Sequence, residues 1–141
     1  MQLRLERTSA SALAVAEFLR DRSEVAHVLC PMLPGAPGHE LWHRDFTGGC
    51  GLFSFVLKDR DDAARCRLID ALDLFGIGYS WGGFESLALP VDIAPIRERM
   101  AWPRPEWEAG EDCAIRLSIG LEDPRDLIAD LTQAFAAMDH R

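Results

Sequence analysis

CAIRLSIGLEDPRDLIADL, residues 113–131, contains two periodicities in direct succession. In the first half Ile115, Leu117 and Ile119 fall on one face of an extended strand, and Ala114, Arg116 and Ser118 fall on the other. In the second half Asp123 is placed to cap a helix, and Pro124 takes its first position, where the missing N–H has no partner to lose. Leu127, Ile128 and Leu131, extended by Phe135 and Met138, then form an apolar helical stripe. A one-faced strand running into a one-faced helix needs helix layered on sheet, so the chain reads as α/β.

The same two patterns recur upstream. GLFSFVLK, residues 51–58, sets Phe53, Phe55 and Leu57 on one face and Leu52, Ser54 and Val56 on the other. Asp61 and Asp62 suit the positive end of a helix whose buried stripe is Leu68, Ile69, Leu72 and Phe75. FGIG (75–78) and LALP (87–90) read as strands on either side of YSWGGFES, and VAHVL (25–29) as a short one. Three prolines and two glycines make PMLPGAPG, residues 31–38, a loop. Ala12, Val15, Ala16 and Leu19 predict a helix from near Met1 to about Arg22. The stretch 98–112 has neither period and reads as an exposed excursion. The sum is one domain of about three helices and four or five strands, with no repeat and no linker.

The chain has 141 residues, 15 Lys plus Arg against 23 Asp plus Glu, and a formal charge of −8. That balance argues against binding nucleic acid or anionic membranes. No apolar run approaches the roughly 18–20 residues that span a bilayer, and MQLRLERTSAS lacks the apolar core of a signal peptide. Cys30, Cys50, Cys66 and Cys113 are widely spaced with no C-x-x-C, which fits reduced thiols and a cytoplasmic setting. Lys58 is the single lysine.

Arg116 projects from its strand between the small residues Ala114 and Ser118, which leaves room for a planar, bidentate grip on a carboxylate. A solvent-facing arginine or an ordinary salt bridge satisfies the same pattern. HELWH, residues 39–43, matches the H-E-x-x-H zinc pattern, with His39 and His43 as ligands and Glu40 activating water. No third histidine follows at the usual spacing, and the plainer reading makes His39 a helix start and His43 part of a solvated turn. Glu122 and Asp123 form a carboxylate pair, for which helix capping before Pro124 is the simpler account. Cys50, set between glycines, reads either as a nucleophile or as a small buried thiol at a tight bend. YSWGGFESL, residues 79–87, is too bulky for a plain hairpin turn, since Trp81 sits between Ser80 and the pair Gly82 and Gly83.

PGHELWHRDFTGGCGLFSFVLK, LFGIGYSWGGFESLALP and IRLSIGLEDPRDLIADL, in that order and at these distances, resemble the C-terminal domain of cystathionine β-lyase. That enzyme is a member of the pyridoxal-phosphate (PLP) family of cysteine and methionine metabolism, with the aspartate-aminotransferase-like fold. The resemblance covers nearly the whole chain. In the γ-lyase and γ-synthase relatives the position of Trp81 is usually leucine, so YSWGG points to the β-lyase branch. The fold implied is the C-terminal small domain of a fold-type I PLP enzyme, α/β or α+β, with three main helices on a four- to five-stranded, largely antiparallel sheet. The family's arginine in R-L-S-I-G-L-E-D, here Arg116, holds the substrate's α-carboxylate. Ser80 and Trp81 line the same end of the pocket, and Gly82 and Gly83 let backbone run close to the amino-acid substrate. In the complete enzyme, implied to be a homo-oligomer, cystathionine or another cysteine conjugate loses its α-proton to the cofactor lysine. Homocysteine then departs, and pyruvate and ammonia follow.

The resemblance reaches only about the final third of such an enzyme. The family's Schiff-base lysine, phosphate-binding glycine turn and stacking tyrosine belong to a large domain, and Lys58, inside a small-domain motif, does not match the lysine. The chain is therefore expected to lack the cofactor-binding domain, through a truncated gene, a missed start or a cut domain, to carry no catalytic residue of its own and to be inactive alone. Two other readings stand beside it: a catalytically silent module that binds a carboxylate or a partner, and a small zinc hydrolase built on HELWH.

Overall fold

The computed structural model describes residues 1–58, 61–92 and 114–138. The chain order is α1 (Gln2–Arg20), β1 (Val25–Leu29), α2 (His39–Asp45), β2 (Leu52–Leu57), α3 (Asp62–Asp70), β3 (Gly76–Ile77), β4 (Leu87–Val91), β5 (Ala114–Ser118) and α4 (Pro124–Met138). The strands make one sheet in the order β1-β2-β5-β4-β3. Neighbours are antiparallel except β3 and β4, which run parallel. This is the expected α/β arrangement of three main helices on a largely antiparallel sheet, with α2 as a short fourth helix. The excursion expected at 98–112, Cys113 and His140 lie outside the described residues.

The register accounts for the alternation in the sequence. Phe55 stands opposite Ile115 and Phe53 opposite Leu117 across β2 and β5, and all four are buried. They share one core with Val15 and Leu19 of α1, Leu68 and Ile69 of α3, and Leu127, Leu131 and Phe135 of α4. Phe55 and Phe135 meet as tilted rings with centroids 6.3 Å apart. Each such side chain contributes roughly 1.5–3 kcal/mol when fully buried, so this face holds the helices to the sheet. Asp61 caps α3 by accepting the Ala63 N–H at 3.1 Å, and Asp123 accepts the Arg125 N–H at 2.9 Å at the start of α4.

One local expectation is corrected. Helix α3 ends at Asp70, so Leu72 and Phe75 are not part of its stripe, although Phe75 is buried just ahead of β3. The cause is Asp130 on α4, whose carboxylate accepts the N–H groups of Asp73 at 2.9 Å and Leu74 at 2.8 Å and fixes a turn where the helix would have continued. His39 opens α2, which begins after Gly38 in the left-handed region at φ 82°, and His43 lies exposed in its last turn, so the solvated turn belongs to the helix. The Phe46 N–H bonds to the Trp42 carbonyl at 2.9 Å, so helical bonding runs past His43.

Candidate functional site

Arg116 occupies the middle of β5, opposite Ser54 of β2 and Leu89 of β4. Its neighbours on the same face, Ala114 and Ser118, are buried, whereas Arg116 itself is only half-buried. The side chain turns to the loop between β3 and β4, where its Nη2 donates to the carbonyls of Tyr79 at 2.9 Å and Ser80 at 3.2 Å. Its Nε is buried and has no hydrogen-bond partner. A buried donor atom left unpaired is unfavourable by about 1–3 kcal/mol, and an anionic acceptor relieves it. A carboxylate oxygen suits that position. The Nε is shielded from solvent, so an incoming carboxylate reaches it only if the guanidinium or the loop shifts.

The structure brings Arg116 and Ser80 together, through the Ser80 backbone carbonyl. Ser80 and Trp81 are exposed, Trp81 at 66% of its surface, beside Tyr79 at 81% and Phe84 at 70%. Gly82 has φ +71°, a conformation that favours glycine, and its carbonyl lies 3.5 Å from Arg4 Nη1 on α1. Gly83 has ordinary φ and ordinary space around it.

Glu122 is not a helix cap, because Asp123 alone performs that role. Glu122 turns back to the loop, where one carboxylate oxygen accepts the Ser86 N–H and the other the Ser86 hydroxyl, both at 2.8 Å. The Ser86 Oγ accepts in turn from the Gly120 N–H at 2.9 Å, and the Leu121 N–H donates to the Phe84 carbonyl at 2.8 Å. Ser86 is wholly buried. Sequence reading missed this clamp and the Tyr79 carbonyl; the one signal was a glutamate next to a helix start that already had its cap.

The remaining candidates lie elsewhere. Cys50 is exposed, not the buried thiol expected, because it sits in the irregular approach to β2 before the sheet closes over the chain; its Sγ is 3.8 Å from the Leu52 carbonyl. Cys30, by contrast, is buried, and burial pushes its thiol above the ordinary pKa. His39 and His43 stack with ring centroids 6.2 Å apart, and His39 Nδ1 is 2.9 Å from the Pro31 carbonyl. Among the described residues no group of three or more His, Cys, Asp or Glu is placed to hold a metal. No helix among them is long and apolar enough to cross a membrane.

Residues 1–136 match the profile of the Cys/Met metabolism PLP-dependent enzymes. The chain belongs to this family. It is 48% identical over 136 residues to the cystathionine β-lyase MetC of Escherichia coli, covering 95% of this chain and 33% of that protein. Against the cystathionine β-lyase of Bordetella avium it is 45% identical over 134 residues, covering 95% and 32%. A Campylobacter jejuni structure, provisionally named an O-acetylhomoserine (thiol)-lyase and carrying N'-pyridoxyl-lysine-5'-monophosphate at position 205, superposes with a TM-score of 0.78 at 31% identity, over 96% of this chain and 32% of its own. The chain thus spans about a third of the length of the relatives it matches. Lys58 is exposed at the end of β2, four residues past the Ser54 that faces Arg116, about 13 Å along the strand.

Proposed function

We propose that this chain is the C-terminal, substrate-binding domain of a PLP-dependent carbon–sulfur β-lyase that converts cystathionine to homocysteine, pyruvate and ammonia. The observation that carries the proposal is the placement of Arg116 on β5 against the loop that contains Ser80 and Trp81, with its Nη2 on the Tyr79 and Ser80 carbonyls and its Nε without a partner. The 48% identity to a cystathionine β-lyase supports the choice of reaction.

In this reading Arg116 binds the α-carboxylate of the amino-acid substrate through its planar fork of donors, a geometry that lysine lacks. Ser80 and Trp81 line the end of the pocket, and Gly82 and Gly83 carry backbone past the substrate. Pyridoxal phosphate supplies an electron sink for the negative charge that develops at Cα. This chain contributes orientation: a fixed carboxylate fixes the direction of the Cα–H bond, so that less disorder has to be removed on the way to reaction. The lysine and the phosphate cradle belong to a separate, larger domain. The three free thiols at Cys30, Cys50 and Cys66 support a cytoplasmic setting. Exposed Leu3, Leu41 and Phe46 support a homo-oligomeric complete enzyme.

The test joins residues 1–141 to the cofactor-binding part of the E. coli relative, in place of that enzyme's own final third. Pyruvate release from L-cystathionine is expected. A chimera that folds, binds cofactor and releases no pyruvate contradicts the proposal.

A further inference from the structure

We propose that Glu122 is a positioning residue for the Arg116 clamp and acts through Ser86; the inference deepens the carboxylate-binding reading of Arg116 and rests on it. The loop from Gly78 to Ser86 leaves β3, which pairs with β4 and whose Gly76 N–H bonds the Ser86 carbonyl at 3.0 Å, and two further tethers come from β5 and its exit. At one end Arg116 Nη2 holds the carbonyls of Tyr79 and Ser80. At the other, Glu122 accepts both donors of Ser86, and Gly120 and Leu121 add a bond each.

Between these tethers little fixes the chain. Tyr79, Trp81 and Phe84 are exposed, so packing does not set the loop's path, and Arg4 reaches the Gly82 carbonyl only at 3.5 Å. A segment with few buried contacts follows its hydrogen bonds. The Ser86 anchor, together with the pairing of β3 with β4, fixes the ends of the path on which the Tyr79 and Ser80 carbonyls lie, and these two acceptors orient the guanidinium. Because that group is rigid and planar, the direction of its Nε–H follows. A carboxylate at position 122 is well suited to the anchor, since it can accept two donors at once. Gly120 makes the approach possible: a Cβ there would lie 2.5 Å from a Glu122 carboxylate oxygen.

The test uses the full ¹⁵N-labelled chain with no ligand and compares the parent with Glu122→Ala and Glu122→Gln. In Glu122→Ala, amide exchange at Ser86 and Leu121 is expected to quicken about tenfold or more, while Asp73 and Leu74, held by Asp130, stay within about twofold. The Arg116 Nε–H cross-peak should move, a change that a merely structural role for Glu122 does not produce. Glu122→Gln keeps an acceptor for the Ser86 N–H and should bring that cross-peak more than halfway back. An Arg116 signal that stays in place while Ser86 exchange quickens overturns the inference, as does a Gln variant indistinguishable from Ala. If Glu122→Ala does not fold, Ser86→Ala carries the test, because it removes only the hydroxyl's two bonds; an unmoved Arg116 signal there overturns the inference equally. The comparison contains no substrate, so its failure leaves the carboxylate reading intact. An Arg116→Ala chimera with full activity removes the carboxylate reading and leaves the tether in place.

Discussion

Arg116 and Tyr79 are 37 residues apart in the chain, yet the Nη2 of one lies 2.9 Å from the backbone carbonyl of the other. The same guanidinium leaves its Nε buried without a partner. An unsatisfied donor opposes folding by about 1–3 kcal/mol. Arg116→Met in the isolated chain should therefore unfold in urea at least as late as the parent. A loss of more than about 2 kcal/mol would make Arg116 a structural residue.

Asp130 is the opposite case. It is buried on α4 and accepts the N–H groups of Asp73 and Leu74 and the side-chain amide of Gln133. Asp130→Ala leaves two backbone donors without their acceptor and should lower unfolding stability by roughly 2–4 kcal/mol, with Asp130→Asn recovering part. A change below about 1 kcal/mol would mean that the turn after α3 holds without it.

The loop aromatics should make the isolated chain adhesive. Ile77, Tyr79, Trp81 and Phe84 are each exposed over 66–81% of their surface, on consecutive parts of one segment. Exposed apolar side chains gathered along one short segment favour a contact face. Hydrophobic-dye binding or self-association is expected, and Trp81→Ser with Phe84→Ser should reduce it. A monomeric parent that binds no dye would indicate a surface adapted to water.

Lys58 should not capture pyridoxal phosphate. It is exposed and its backbone N–H is tied to the Glu24 carbonyl at 2.8 Å. Mixing chain and cofactor should give no stoichiometric absorption band near roughly 420 nm, where a covalent lysine adduct absorbs. A band that disappears in Lys58→Ala would contradict this.

Much of the fold was legible because its signals are local. The alternation in 52–57 and 114–118 and the Asp123–Pro124 start of α4 each need only a few neighbouring residues to be read. The end of α3 was not legible, because the residue that stops it is Asp130, 57 positions beyond Asp73. Glu122 was misread for the same reason: its partner Ser86 is 36 residues upstream, and only the sheet brings them together. Cys50 looked like a buried thiol because its glycine neighbours suggest a tight bend, and a bend says nothing about which side faces water. At the site, the sequence marked Arg116 by its small strand neighbours, and the three long motifs marked the family. The turn of Arg116 toward the Tyr79 and Ser80 carbonyls depends on strand order, which no local pattern records.

The most direct test of the central claim is kcat/KM for L-cystathionine in the chimera, with and without Arg116→Ala. Two charge-assisted hydrogen bonds of roughly 1.5–3 kcal/mol each put the loss on the order of 3–6 kcal/mol, at least about 10²-fold. Arg116→Lys should recover only part, and the cofactor's absorption spectrum should be unchanged in both. If Arg116→Ala keeps kcat/KM within about threefold of the parent, less than roughly 1 kcal/mol, Arg116 does not hold the substrate carboxylate.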